Sequence, residues 1–277
     1  MNNYILIGEP FMLKLMDLLN EGLFDKGILK AVFMAGGPGS GKSYVAGQVF
    51  GIPKNMTFSM SGLKTVNSDT EFEFLIKKYG FDTFGTGKID IDLWPDEVFD
   101  MIAGGDEDSE DMTLRKKAKL MTKDRQKKYM EGRLGMIIDG TGHNYGKIAK
   151  EKKNLEKLGY DCYMVFVNTS LKVAQQRNQE RTRRLPPKIL KKSWQDVQAN
   201  LGKFQGLFGS NFAVVDNSKF LKPEQAQKKF NMITKKYVSK FVNQPVKNRI
   251  GKNWMEHQKL LRAPQKKKKV VDPPSNK

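Results

Sequence analysis

Eight residues constrain this chain more than any others: Gly36-Gly37-Pro38-Gly39-Ser40-Gly41-Lys42-Ser43. They match Gly-x4-Gly-Lys-[Ser/Thr], a pattern that wraps backbone around a polyphosphate. Glycines allow the bend with no Cβ in the way. The loop N–H groups and the N-terminus of the following helix point at the anion. An apolar run, Ala31 to Ala35, precedes the octapeptide, and a helix-compatible run, Tyr44 to Phe50, follows it. That is the strand-loop-helix setting the motif requires. Lys42 is placed to reach the β- and γ-phosphates, the Ser43 hydroxyl to sit on Mg²⁺, and Tyr44 to border the nucleotide. A flexible glycine-rich surface loop would not need this setting.

The other bounds are consistent with an α/β domain of roughly 200–220 residues with an appendage. The chain has 277 residues and one cysteine, Cys162, so no intramolecular disulfide can form. Cys162 lies in an apolar run and reads as a buried thiol. Two histidines, His143 and His257, do not make a zinc-ligand pattern. No run of apolar residues is long enough to span a bilayer, and no basic-then-apolar leader is seen. The expectation is a cytoplasmic protein without a membrane partner. The net charge of +19 is unevenly spread: residues 217–277 hold 17 Lys and Arg against three acids. Nucleic acid or another polyanion is the partner such a C-terminal region suits, and a merely solubilising tail is the alternative.

Apolar periodicity predicts a helix over 4–24, a second strand at Thr65 to Asn67 ending in Asp69, and a helix from Glu71 to Tyr79. Further helices are predicted over 92–103 and 113–133, separated by a turn and acidic run at 104–111. Strands follow at 134–138, 160–167 and 211–215, with helices to Leu158 and over 171–181 and 188–207. The region 223–242 reads as a basic amphipathic helix with Phe230, Ile233, Tyr237 and Phe241 inward. Beyond Pro245 the periodicity fades, and the tetralysine at 266–269 predicts a flexible tail over 246–277. The division is therefore an N-terminal helical segment (1–30), a nucleotide-binding domain (31–217), a basic helix (218–245) and a tail. The fold class is a three-layer α/β sandwich around a parallel sheet of about five strands, with a helical lid.

Several side chains fall where phosphoryl chemistry would use them. Asp69 lies beyond the second strand, on the ligand-binding edge of a parallel sheet. Asp139 ends an apolar strand and suits Mg²⁺ through water; capping the next helix is its alternative. Arg177 and Arg181 are four apart on one helical face, able to clamp a phosphoryl group, before the break at Leu185-Pro186-Pro187. A solvated basic face would look the same.

In order and spacing the residues resemble zeta-toxin-type phosphotransferases: Ala35 to Ser43, then Asn67-Ser68-Asp69-Thr70, then Ile137-Ile138-Asp139-Gly140-Thr141-Gly142. The second half resembles the kinase domain of phage polynucleotide kinases, through Arg177-Asn178-Gln179-Glu180-Arg181 and its proline-bearing turn. The resemblance covers about residues 31–216. It implies a P-loop kinase using ATP and Mg²⁺, with Asp69 as general base on an acceptor hydroxyl and Arg181 on ATP phosphates. Thr141, His143 and Asn144 then border the acceptor. Phe72 stands where polynucleotide kinases carry an arginine, and His143 where zeta toxins carry one. The acceptor stays open between a polynucleotide 5′-hydroxyl or nucleotide and a nucleotide-sugar. A nucleotide-dependent nucleic-acid-binding or assembly protein without transfer activity is a further reading of the same residues.

Overall fold

The computed structural model describes residues 23–25, 27–52, 59, 61–79, 112–180, 184–219 and 223–262, and the side chains of Pro223, Ala226 and 237–239 are not among them. The predicted helix over 4–24, except its last two residues, lies outside the described residues. So do the helix over 92–103, the acidic run, Arg181, Arg183, the inward side chain of Tyr237 and the tetralysine.

Strand β1 (Lys30–Ala35) is buried along its whole length. A strand covered on both faces can be apolar throughout, and this one is. Its side chains divide between two cores. Ala31, Phe33 and Ala35 face one layer, with Val197, Phe204 and Phe208 of the long helix 187–208. Val32 and Met34 face the other, with Val45 and Val49 of helix α1 (Lys42–Phe50), and Phe230 and Phe241 beyond. The sheet continues with β2 (Lys64–Val66), β3 (Met136–Asp139), β4 (Asp161–Asn168) and β5 (Phe212–Asp216). Their order is β2-β3-β1-β4-β5 and every pairing is parallel. The five-stranded three-layer α/β fold is thus the one expected. The order puts β1 centrally, with β3 on one side and β4 on the other. The loops leaving these strands meet at one edge.

Helix α2 (Ser68–Lys78) starts three residues before the predicted point. Asn67 explains the shift: its side-chain oxygen accepts from the Asp69 N–H at 2.8 Å, an N-cap, and Asp69 and Glu71 then sit in the first turn. Asp69 is therefore a first-turn helical residue and not the end of a strand. Helix α3 (Leu114–Glu131) packs on α2 through Arg125, which pairs with Glu71, and Thr122, whose hydroxyl donates to Glu71 at 3.2 Å. Helix α4 (Tyr145–Lys157) follows β3, α5 (Leu171–Glu180) follows β4, and α6 (Pro187–Phe208) starts on a proline, whose missing N–H costs nothing there.

After β5 come α7 (Pro223–Ile233), a π-helical turn at Thr234–Val238, and α8 (Ser239–Asn243), so the predicted single helix is interrupted. Phe230 and Phe241 are buried and Ile233 partly so, as expected. The flexible tail expected from residue 246 is corrected over 249–262, where Arg249–Arg262 forms helix α9. Asn248 holds it. The Asn248 amide donates to the Glu156 and Tyr160 carbonyls, and its side-chain oxygen accepts from Ile250 N–H at 2.9 Å. Gly251 then presses on Gly159: a Cβ at Gly251 would lie 2.2 Å from the Gly159 carbonyl oxygen. Ile250, Trp254 and Met255 recur at helical spacing, and Trp254 and Met255 pack against the core, so an apolar period does run past Pro245. Cys162 is buried, as expected, and burial pushes its thiol pKa well up. Among the described residues no helix is long and apolar enough to cross a membrane.

Candidate active site

The octapeptide forms a loop between β1 and α1, and its neighbours leave room only for glycine at key points. Gly39 has φ +73°, and a Cβ there would lie 2.3 Å from the Ala174 carbonyl oxygen of α5. Gly41 has φ +81°, with the Asn217 amide where its Cβ would go. Both features exclude a larger residue. Replacing Gly39 by alanine would therefore force the loop off α5 as well as strain its backbone. The Lys42 ammonium donates to the Gly36 carbonyl at 2.7 Å, which holds it at the loop mouth. The Ser40 hydroxyl is buried with no hydrogen-bond partner among the described residues, a donor the loop itself does not use. Ser43 is exposed in the first turn of α1.

Arg177 does not line the cleft described below. Its Nη1 donates to the Asn217 carbonyl at 2.9 Å and to the Ser40 carbonyl at 3.4 Å. The Asn217 amide donates to the same Ser40 carbonyl at 2.8 Å. Arg177 thus braces the back of the phosphate loop from α5, and burial pulls its pKa below the ordinary value, with Glu180 opposing. Tyr44 meets the Phe230 ring edge-on at 5.5 Å between centres, which ties α1 to α7. Asn178, inside the predicted lid motif, exchanges two hydrogen bonds with the backbone of Leu185 and so closes the connection to α6.

An open cleft of about 620 Å³ beside the loop brings together Lys42, Asp69, Asp139, Thr141, His143 and Asn144. Asp139 is paired in register with Met34, one strand over. Asn67 links the two carboxylates of the site: its amide donates to Asp139 Oδ2 at 3.0 Å while its oxygen accepts from the Asp69 N–H. Asn144 caps α4 by accepting from Lys147 N–H at 2.9 Å, and the Thr141 hydroxyl is hydrogen-bonded to His143 Nδ1. The turn they share is held by the buried amide of Asn200 on the Gly142 and His143 carbonyls.

The residue that sequence reasoning missed is Arg115. It comes from α3 and bonds Asp69 Oδ1 through Nη1 at 2.7 Å. Its guanidinium carbon stands 5.0 Å from the centre of the Phe72 ring. An arginine therefore reaches the site beside Phe72. It arrives from another helix some forty residues away, so no local motif could reveal it.

Ser43 and Asp139 offer oxygen donors, which suit a hard cation such as Mg²⁺. Among the described residues no group of three or more His, Cys, Asp or Glu could hold a metal alone. The donor set fits a cation that also takes phosphate oxygens from a nucleotide.

A phosphate-binding loop after the central strand of a parallel sheet, with a strand-end aspartate on the adjacent strand, defines a P-loop NTPase fold. A family model described as an AAA domain matches residues 32–203, well over half of the chain, and the chain belongs to that family. No curated protein matches it. Among solved structures it is similar to a putative kinase from Chloroflexus aurantiacus J-10-fl at 13% identity, covering 76% of this chain and 97% of that one, with TM-score 0.42. A gluconokinase from Sinorhizobium meliloti 1021 is similar at 14% identity, over 75% and 95%, with TM-score 0.42. A structure of the PezAT chromosomal toxin-antitoxin system of Streptococcus pneumoniae is similar at 10% identity, over 78% and 88%, with TM-score 0.42.

Proposed function

We propose that the protein is an ATP- and Mg²⁺-dependent kinase that moves the γ-phosphoryl group to an acceptor hydroxyl, on a polynucleotide 5′ end or a nucleotide. The single observation that carries the reading is the cleft in which Asp69 faces the same space as Lys42 and Asp139. A hydroxyl nucleophile needs a carboxylate in reach, and the transferring group needs counter-charge. In the step, the acceptor oxygen bonds the γ-phosphorus as the bond to the β,γ-bridging oxygen breaks. The hydroxyl proton passes to the Asp69 carboxylate, and ADP leaves with the electron pair. Arg115 and the Asn67 cap fix the Asp69 side chain and backbone. Lys42 and the loop N–H groups hold the phosphates, and Arg177 stiffens the loop from behind. Mg²⁺, held by Ser43 and Asp139, would neutralise charge on the β- and γ-phosphates. Arg181 adds counter-charge from the lid, and the basic C-terminal region contacts nucleic acid.

Transfer from γ-labelled ATP to 5′-hydroxyl DNA and RNA, nucleosides, nucleotides and nucleotide-sugars tests this, with Lys42→Ala as the control. Label is expected on an oligonucleotide end or a nucleotide, with oligonucleotide affinity falling steeply as salt rises. Label on a nucleotide-sugar would correct the acceptor. Absence of label on every acceptor would favour a nucleotide-dependent binding protein.

A further inference from the structure

Half of the eight residues of the phosphate loop are glycine, and glycine loses more backbone freedom on ordering than any other residue. The loop therefore needs support from outside if its N–H groups are to stand ready for an anion. Inside it, the Ser40 N–H donates to the Gly37 carbonyl at 3.1 Å, which closes a tight turn. The end of β4 and α5 hold three of its residues: Gly36 lies on the Val167 carbonyl, Gly39 on the Ala174 carbonyl, and the Ser40 carbonyl accepts from Arg177. Gly37 is held by α6 instead. A Cβ at Gly37 would stand 3.4 Å from Trp194 Cα and 3.5 Å from Trp194 Cδ1, an ordinary contact, and its three nearest heavy atoms all belong to Trp194. Trp194 is itself pinned, because its indole N–H donates to the Thr169 carbonyl at 2.9 Å, just past β4. One turn further along α6, the Gln198 amide donates to Asn168 Oδ1 at 2.9 Å.

Core packing does not account for this placement. Trp194 is only partly buried, and its N–H goes to a carbonyl at the ligand-binding edge of the sheet, whereas Val197 and Phe204 of the same helix are fully buried and serve the core. Trp194 does not line the cleft either, so any effect it has on a ligand passes through the loop. We infer that Trp194 is a positioning residue for the phosphate loop: it fixes the Gly37 peptide and, through the Gly37–Ser40 turn, presets the loop N–H groups for the phosphate chain of a nucleotide. A loop ordered in advance loses less freedom when the ligand arrives, so the contact strengthens binding without touching the ligand. The inference rests on the nucleotide-binding part of the kinase reading and not on the acceptor.

Calorimetric titration of the full chain with Mg–ADP, beside urea unfolding, tests it. Trp194→Ala should bind Mg–ADP about tenfold more weakly, and Trp194→Phe, which keeps a ring against Gly37 but loses the indole N–H, within about threefold of the wild type. Val197→Ala is the control. It removes core packing from the same helix, so it should lower the urea midpoint and leave Mg–ADP affinity unchanged. Fluorine NMR of the chain labelled with 5-fluorotryptophan gives a second readout on the native protein, its three tryptophans assigned by Trp→Phe variants. The Trp194 resonance should shift with Mg–ADP and with magnesium pyrophosphate, while that of Trp254 stays in place. Unchanged affinity in Trp194→Ala overturns the inference, and so does an equal loss of affinity in Val197→Ala. If Trp194→Ala does not fold, the resonance decides: a Trp194 signal that ignores both ligands overturns the inference. Weaker Mg–ADP binding in Trp194→Ala, with no transfer to any acceptor by the wild type, keeps the inference and removes the kinase reading. Transfer with unchanged affinity in the variant does the reverse.

Discussion

Asp69→Asn is expected to slow phosphoryl transfer by about 10²–10⁴-fold, the range a lost general base accounts for, while leaving Mg–ATP affinity within about twofold. The asparagine is nearly the same size and can keep the first-turn geometry, because the Asn67 cap engages the Asp69 backbone N–H and not its side chain. What disappears is a carboxylate able to take a proton, together with the ion pair to Arg115. Single-turnover transfer from labelled ATP and calorimetric titration with Mg–ATP separate the two effects. A normal transfer rate in the variant would show that Asp69 is not the base. A large loss of ATP affinity would place Asp69 on the nucleotide instead of the acceptor. Arg115→Lys refines the result. Lysine keeps a charge near Asp69 but not the planar guanidinium that lies over Phe72 while bonding the carboxylate.

The phosphate loop and the sheet were legible because their causes are local. An octapeptide of fixed spacing and four apolar runs, with the short polar strand Lys64–Val66 beside them, carry the fold. Asp69 and Asp139 were found by their places after strands, since a parallel sheet collects strand ends at one edge, whereas Thr141 and His143 entered through the family resemblance. What stayed hidden depends on contacts between distant parts of the chain. Arg115 reads as one of eight basic residues on a polar helix until α3 is laid against α2. Arg177 reads as a phosphate clamp until the Asn217 and Ser40 carbonyls turn it toward the loop's back. Asn178, Asn200 and Asn248 each fix backbone by donating an amide N–H to carbonyls, and Asn67 caps α2 through its oxygen; an asparagine in a sequence gives no sign of which group it will meet. Helix α9 escaped although Ile250, Trp254 and Met255 recur at helical spacing. Its anchor is one asparagine and a glycine–glycine contact, with Trp254 and Met255 only partly buried.

Asp161→Ala is expected to cost about 3–5 kcal/mol of stability, the size associated with stranding one member of a buried ion pair. Lys30 is 2% exposed and its ammonium bonds Asp161 Oδ2 at 2.8 Å, in a register where the two residues are direct partners on β1 and β4. Asp161 does more than pair. Its Oδ2 also accepts from Lys247 N–H and its Oδ1 from Asn248 N–H, each at 2.9 Å, so one carboxylate joins the central strand to the entry of α9. Removing it leaves a buried ammonium with the Pro245 carbonyl at 3.5 Å and the Phe241 ring face at 5.0 Å as its remaining contacts. Lys30→Met should be milder, because methionine fits the apolar core and Asp161 keeps its two backbone donors. Lys30→Met/Asp161→Asn should then be more stable than Asp161→Ala, since no charge is left stranded. Urea unfolding of the three variants measures the order directly. If Asp161→Ala lies within about 1 kcal/mol of the wild type, the range of an exposed pair, Lys30 must reach water in solution, and the carboxylate is not what fixes α9 to the sheet.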